Sequence, residues 1–269
     1  MSRVRIAALA AAALIAGVQA ASAADLPVMP PPAMQFGGWY LRGDIGFSNE
    51  RVRDITFVDP AGNVPVQRNL TKGFDSAGIF DLGIGYQFNP WLRVDVTGQY
   101  RMKAHFQGVN SVDQGGGNFL AESDFGSKSE WVVLANLYAD LGTWWGVTPF
   151  VGAGVGGADI RISNFQDSTV VVDSRNFSTG ADKWNFAWAV HAGIAYKVTP
   201  AFTVELAYHY LDLGNANSGP MLTGYLPVGS PAGSNEFHHI TSHDLTLGVR
   251  WMFGVPQPAE PLYPLVRKG

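Results

Sequence analysis

Between Gly78 and Met102 the chain alternates apolar and polar positions twice, with a single break. Phe80, Leu82, Ile84, Tyr86 and Phe88 fall on one face of a period-two pattern, against Asp81, Gly83, Gly85 and Gln87. Past Asn89-Pro90, Leu92, Val94, Val96 and Tyr100 alternate with Arg93, Asp95, Thr97, Gln99 and Arg101. A period of two is the signature of a β-strand with two unlike faces, and Asn-Pro leaves room only for a tight turn, so the stretch predicts an antiparallel hairpin. The same pattern recurs from Trp39 to Ser48, Glu130 to Leu141, Thr148 to Asp159, Trp184 to Val198, from Phe202 past Tyr210, and from Ser242 to Phe253. Eight strands are predicted.

Their connections sort by parity. Asn49–Ala77, Lys103–Ser129, Asp159–Asp182 and Asp212–Thr241 are long polar segments of 24 to 30 residues, whereas the intervening turns take only a few residues. Compact soluble domains rarely carry loops longer than about 12–15 residues, and nothing in a soluble sandwich sorts loops by parity. Outer-membrane barrels do, with short turns on the periplasmic side and long loops outside. An even strand count then places Trp39, Phe88, Trp91, Phe202, Trp251 and Phe253 at the periplasmic rim, and Tyr100, Trp131, Trp184 and Tyr210 at the outer rim. The expected fold is all-β: an eight-stranded antiparallel transmembrane β-barrel with short periplasmic turns and four long extracellular loops.

The start of the chain agrees with export. Arg3 and Arg5 precede an apolar run from Ile6 to Val18 and the small residues Ala21-Ser22-Ala23-Ala24, the layout of a cleaved signal peptide. The expected organisation is a signal over residues 1–24, a Pro-rich linker over 25–36, the barrel over 37–253 and a Pro-rich tail over 254–269. No later stretch reaches the roughly 18 continuous apolar residues of a membrane helix, so a membrane-spanning form must be a closed barrel. With no cysteine, the fold must be held by its sheet rather than by disulfides. Beyond the signal, 16 basic and 22 acidic side chains remain, a balance that argues against a nucleic-acid partner.

The polar faces of the predicted strands carry Arg42, Asp44, Asp81, Arg93, Asp95, Arg101, Glu130, Asp140, Lys197, Glu205, His209, Asp244 and Arg250. An eight-stranded barrel is just wide enough for side chains to fill, and unpaired charges there carry a large desolvation cost, so these groups are expected to form a network that closes the lumen. Three other signals compete with bland readings. Gly152-Ala153-Gly154-Val155-Gly156-Gly157 satisfies a dinucleotide fingerprint, but no helix pattern follows, so the glycines read as strand positions making room for interior side chains. His238, His239 and His243 gather near the last strand and could hold a metal or haem iron, with solvated loop histidines as the plain alternative. Asp159, Asp167, Asp173 and Asp182 are too scattered for a calcium loop, and Asp167 reads as an ordinary loop charge. His209 and Glu205, at facing spacing, are the one candidate base with its orienting acid.

The segments WYLRGDIG, TPFVGAGVG, LAYHYLDLG and HDLTLGVRWMF, with a signal ending in AADLP, resemble the small outer-membrane β-barrel family abundant in alphaproteobacteria, related in architecture to OmpA and OmpX. The resemblance spans about Asp25 to Phe253. It implies an outer-membrane location, a structural or surface role in envelope integrity, and no cofactor. The implied partners are outer-membrane lipid, lipopolysaccharide and the barrel assembly machinery, which would read Phe253 as a terminal sorting signal. An extracellular ligand would meet the four loops. A narrow porin-like channel, a haem-binding surface protein and, further off, a lipid-acyl hydrolase are the alternatives the resemblance leaves open.

Overall fold

The computed structural model describes residues 37–62, 67–113, 116–169, 174–224 and 228–254. The expected signal, linker and most of the Pro-rich tail lie outside the described residues. Eleven strands are present among them: β1 (Gly38–Val58), β2 (Gln67–Phe74), β3 (Ala77–Asn89), β4 (Leu92–Asp113), β5 (Phe119–Asp140), β6 (Val147–Thr169), β7 (Ser174–Ser178), β8 (Ala181–Lys197), β9 (Phe202–Asn217), β10 (Met221–Thr223) and β11 (Pro231–Met252). Eight of them close an antiparallel ring in the order β1-β3-β4-β5-β6-β8-β9-β11, sealed by β11 against β1 from Tyr40↔Met252 to Val58↔Ser234.

The short turns are as the sequence predicts. Asn89 Oδ1 accepts from the backbone N–H of Trp91 (3.0 Å) and Leu92 (2.8 Å), so a side chain caps the first one. Outside the ring near these turns, Leu41, Ile45, Leu82, Ile84, Val96, Leu137, Val151, Leu206, Leu247 and Val249 stand exposed, about half of each surface free. Trp39, Phe88, Trp91 and Trp251 edge this apolar band at one end, and Tyr100 packed on Trp131 (centroids 4.9 Å apart) marks the other, with Trp184.

The long loops require correction. β1 runs on to Val58, β4 to Asp113, β6 to Thr169 and β9 to Asn217, while β5 and β11 begin early, so most of each expected loop is strand. Above the outer aromatic rim β2, β7 and β10 take over wall positions from β3, β8 and β9, β2 pairing β4, β7 pairing β6 and β10, and β10 pairing β11. The reason lies in the phase of the apolar pattern. Below the rim β4 sends Arg93, Asp95, Thr97, Gln99 and Arg101 inward; above it Ala104, Phe106 and Val112 are buried, while Lys103, His105 and Gln107 are exposed. Between Arg101 and Ala104 one extra residue enters the β4–β5 register, which switches the inward parity. Equivalent breaks occur in β6 at Asn164 (φ 52°) and in β11 at His239 (φ 56°). Below the breaks the outside is apolar and the inside polar; above them the order reverses, as water rather than lipid surrounds the wall.

The upper interior is therefore an apolar plug, with Val52, Ile55, Ile160, Ile162, Leu213 and Ile240 around a cluster of Phe74, Phe106, Phe165 and Phe237. Phe106 meets Phe237 edge-on at 5.3 Å and Phe165 at 6.0 Å.

Candidate functional site

The lower lumen holds two layers of charge, each drawn from opposite walls. In the layer near the short turns, Arg93 of β4 donates from Nε to Asp140 Oδ1 of β5 (3.2 Å) and lies 3.5 Å from Glu205 of β9 across the barrel. Its guanidinium stacks over the Tyr138 and Phe150 rings at 4.3 and 4.6 Å. Arg250 approaches the same Glu205 at 3.0 Å. Arg42 grips Asp44 with Nε (2.9 Å) and Nη2 (3.0 Å), and donates from Nη1 to Asp95 (3.3 Å) and to the Tyr138 hydroxyl (2.9 Å). Tyr40 closes the group by donating to Asp95 at 3.0 Å.

The layer nearer the rim centres on Arg101, fully buried. It donates to both oxygens of Asp244 (2.7 and 2.9 Å), to Glu50 (3.1 Å) and to Gln99 (2.7 Å), and sits 2.9 Å from Glu130. Lys128 bridges Glu50 and Glu130. Five walls, β1, β4, β5, β9 and β11, thus contribute charge to the two layers.

Between the layers a hydrogen-bonded chain crosses the lumen. Asn136 donates to Asp95 (2.8 Å), so its carbonyl oxygen faces His191 Nε2 (3.1 Å); His191 and His209 meet through their Nδ1 atoms at 2.7 Å, and His209 Nε2 faces the Thr246 hydroxyl (2.8 Å). The chain is complete with one proton per ring: His191 donates from Nε2, His209 from Nδ1. A cavity of about 20 Å³ beside this pair, lined by Arg42, Asp81, Thr97 and Gln99, has room for about one water.

Glycine makes this packing fit. A Cβ on Gly154 would fall 2.0 Å from Asn136 Oδ1, and one on Gly248 would fall 1.8 Å from Asp44 Oδ1. Gly152 and Gly154 thus clear space for interior side chains.

Arg42, Asp44, Asp81, Arg93, Asp95, Arg101, Glu130, Asp140, Glu205, His209, Asp244 and Arg250 are all buried inside the barrel. Lys197 is not: it shares their parity, but as the last residue of β8 it projects at the open end and is exposed. Glu50 and Lys128 keep the inward parity of their strands and were missed because β1 was expected to end at Ser48 and β5 to begin at Glu130, and Tyr138, Asn136 and His191 because a network also needs neutral bridging groups. The His209–Glu205 pairing does not form; Glu205 is held by three arginines and His209 by His191 and Thr246. Nor do the three rim histidines converge, since His238 meets Thr56 (2.8 Å), His239 faces Asp212 (3.6 Å) and His243 meets Tyr208 (2.6 Å). Asp167 is no loop charge, being 6% exposed inside the upper barrel.

A closed ring of eight antiparallel strands, apolar outside between two aromatic rims and charged within, defines an integral outer-membrane β-barrel. The chain belongs to the outer membrane protein beta-barrel domain family, whose model matches residues 8–253. An uncharacterized protein of Brucella abortus is 32% identical over 231 residues, covering 76% of this chain and 80% of that one. Outer membrane protein PagN of Salmonella typhimurium is 28% identical, covering 74% of this chain and 87% of its own length. Among solved structures, OprG of Pseudomonas aeruginosa aligns over 81% of this chain and 96% of its own, at 14% identity and a TM-score of 0.49. The protein resides in the outer membrane.

Proposed function

We propose that the protein is a closed scaffold that carries a rigid, water-exposed sheath of strands above the outer membrane and contributes to envelope integrity. The Arg101 layer is the observation that supports this reading: one guanidinium ties β1, β4, β5 and β11 together, and the phenylalanine plug lies above it. Two such plugs in series suit a wall better than a pore. The apolar band suits outer-membrane lipid, and the exposed Arg51, Arg53 and Lys103 just above the rim suit lipopolysaccharide phosphates. Phe253, half-exposed and bonded through its N–H to the Trp39 carbonyl (2.9 Å), suits recognition by the barrel assembly machinery. The candidate acid–base pair for acyl hydrolysis is not assembled, and His238, His239 and His243 each turn to a separate partner. The test is a deletion strain challenged with detergent and with a large antibiotic. Sensitisation reversed by the wild-type gene supports the envelope role; unchanged resistance removes it.

A further inference from the structure

Above the phenylalanine plug the interior turns polar again, and two acids are buried there side by side. Asp124 of β5 and Asp167 of β6 are directly opposed in the strand register, which for neighbouring strands sets their Cβ atoms about 5 Å apart on the same face. They are 2% and 6% exposed, and each leaves Oδ1 buried with no hydrogen-bond partner. Asn110 of β4, 3% exposed, is directed into the pair by donating from Nδ2 to Asp124 Oδ2 (2.9 Å), while its own Oδ1 is likewise buried and unmatched. Asn176 of β7 reaches Asp167 at 3.5 Å, and Glu122 faces Thr169 at 3.4 Å one step further out. Lys128, the next cation down the inner face of β5, is engaged by Glu50 and Glu130.

Two facing buried carboxylates cannot both remain bare anions. A shared proton would fill one bond between them and leave the Asn110 oxygen unmet. An oxygen-ligated divalent cation would satisfy all three orphan acceptors at once, because carboxylate, amide-carbonyl and hydroxyl oxygens are the ligands that calcium and magnesium take. No three acidic or histidine side chains converge among the described residues, so the ion would rest on two carboxylates, the amide and water, with Glu122 in the outer shell. We propose that Asn110, Asp124 and Asp167 form a divalent-cation site that clamps β4, β5 and β6 together above the membrane.

The test uses the full chain folded in detergent, stripped with EDTA at pH 8 and titrated with calcium chloride, with sodium chloride at matched ionic strength as the screening control. Calcium is expected to raise the melting midpoint, by preferential binding to the folded state, and to slow amide hydrogen exchange at residues 120–126 and 165–169. Asp124→Asn and Asp167→Asn keep the shape and remove a charge; both should melt higher than wild type in EDTA and lose the calcium response. A shift reproduced by sodium chloride, exchange protection elsewhere only, or a full response in both variants would overturn the site. If the variants fail to fold, wild-type exchange alone decides, and absence of calcium protection at those two segments refutes it.

Discussion

Arg93 and Glu205 face each other across the lumen at 3.5 Å, from β4 and β9 on opposite walls, and neither has solvent access. Arg93 also pairs with Asp140, so removing it leaves Asp140 without its arginine and takes from Glu205 one of the three that hold it. Loss of one member of a buried pair costs about 3–5 kcal/mol. Arg93→Ala should therefore lower the urea midpoint of refolded protein strongly. Asp182→Ala, which breaks the bidentate pair with Arg161 on the exposed wall, should leave it essentially unmoved.

The phase change on β4 gives a second expectation. Val96→Arg, in the apolar band, should cost about 2–4 kcal/mol, whereas Gln107→Arg, on the same strand above the bulge, should cost almost nothing. Arginine at the inward Thr97 offers no gentle contrast, since Thr97 packs where a Cβ on Gly83 would come within 2.8 Å. Equal costs at Val96 and Gln107, read by reversible folding into bilayers, would contradict the inversion.

The phenylalanine plug rests on the charge layer beneath it, with the Lys128 ammonium 4.8 Å from the Phe74 ring centroid. Phe106→Ala should destabilise by about 3–5 kcal/mol through the cavity it leaves among Phe74, Phe165 and Phe237. Phe119→Ala, exposed at the start of β5, should be nearly silent in the same assay.

A fourth expectation concerns pH, in the absence of divalent cations. Burial, followed by the neighbouring Asp167, pushes Asp124 up to about 8 and Glu122 up to about 7. Asn110, Thr169 and Asn176 are the hydrogen-bonding groups facing them, and Asp167, also raised by burial, is the third acid. A carboxyl whose folded value lies above its unfolded one binds its proton more tightly in the folded state, so stability falls as pH rises from about 4 to about 8 and is flat beyond. Asp124→Asn should flatten that slope, as followed by melting at stepped pH.

Much of this was legible in the chain. Strict alternation flanked by Asn89-Pro90 and Thr199-Pro200 exposes the membrane strands, and inward parity alone finds Arg42, Arg93, Arg101, Glu205 and Arg250. Parity failed at its two ends. It cannot say where a barrel stops, which misplaced Lys197, and it cannot survive an inserted residue, which hid the strands beyond Arg101, Asn164 and His239. Asp167 was lost to the insertion at Asn164, whereas Glu50 and Lys128 hold the inward parity and were lost because β1 and β5 run past their expected ends. The His191–His209 contact needed something else again, the cross-strand register that sets the two rings opposite each other.

The closed lumen is tested most directly by electrical recording in planar bilayers, with insertion verified by heat-modifiable gel migration. Wild-type protein should insert without stable single-channel steps, because the Arg101 and Arg93 layers and the plug above them fill a barrel only eight strands wide. Arg101→Ala combined with Phe106→Ala should admit ions and produce measurable current. Large, stable wild-type steps that neither this pair nor Arg93→Ala alters would contradict the account and establish a conducting pore.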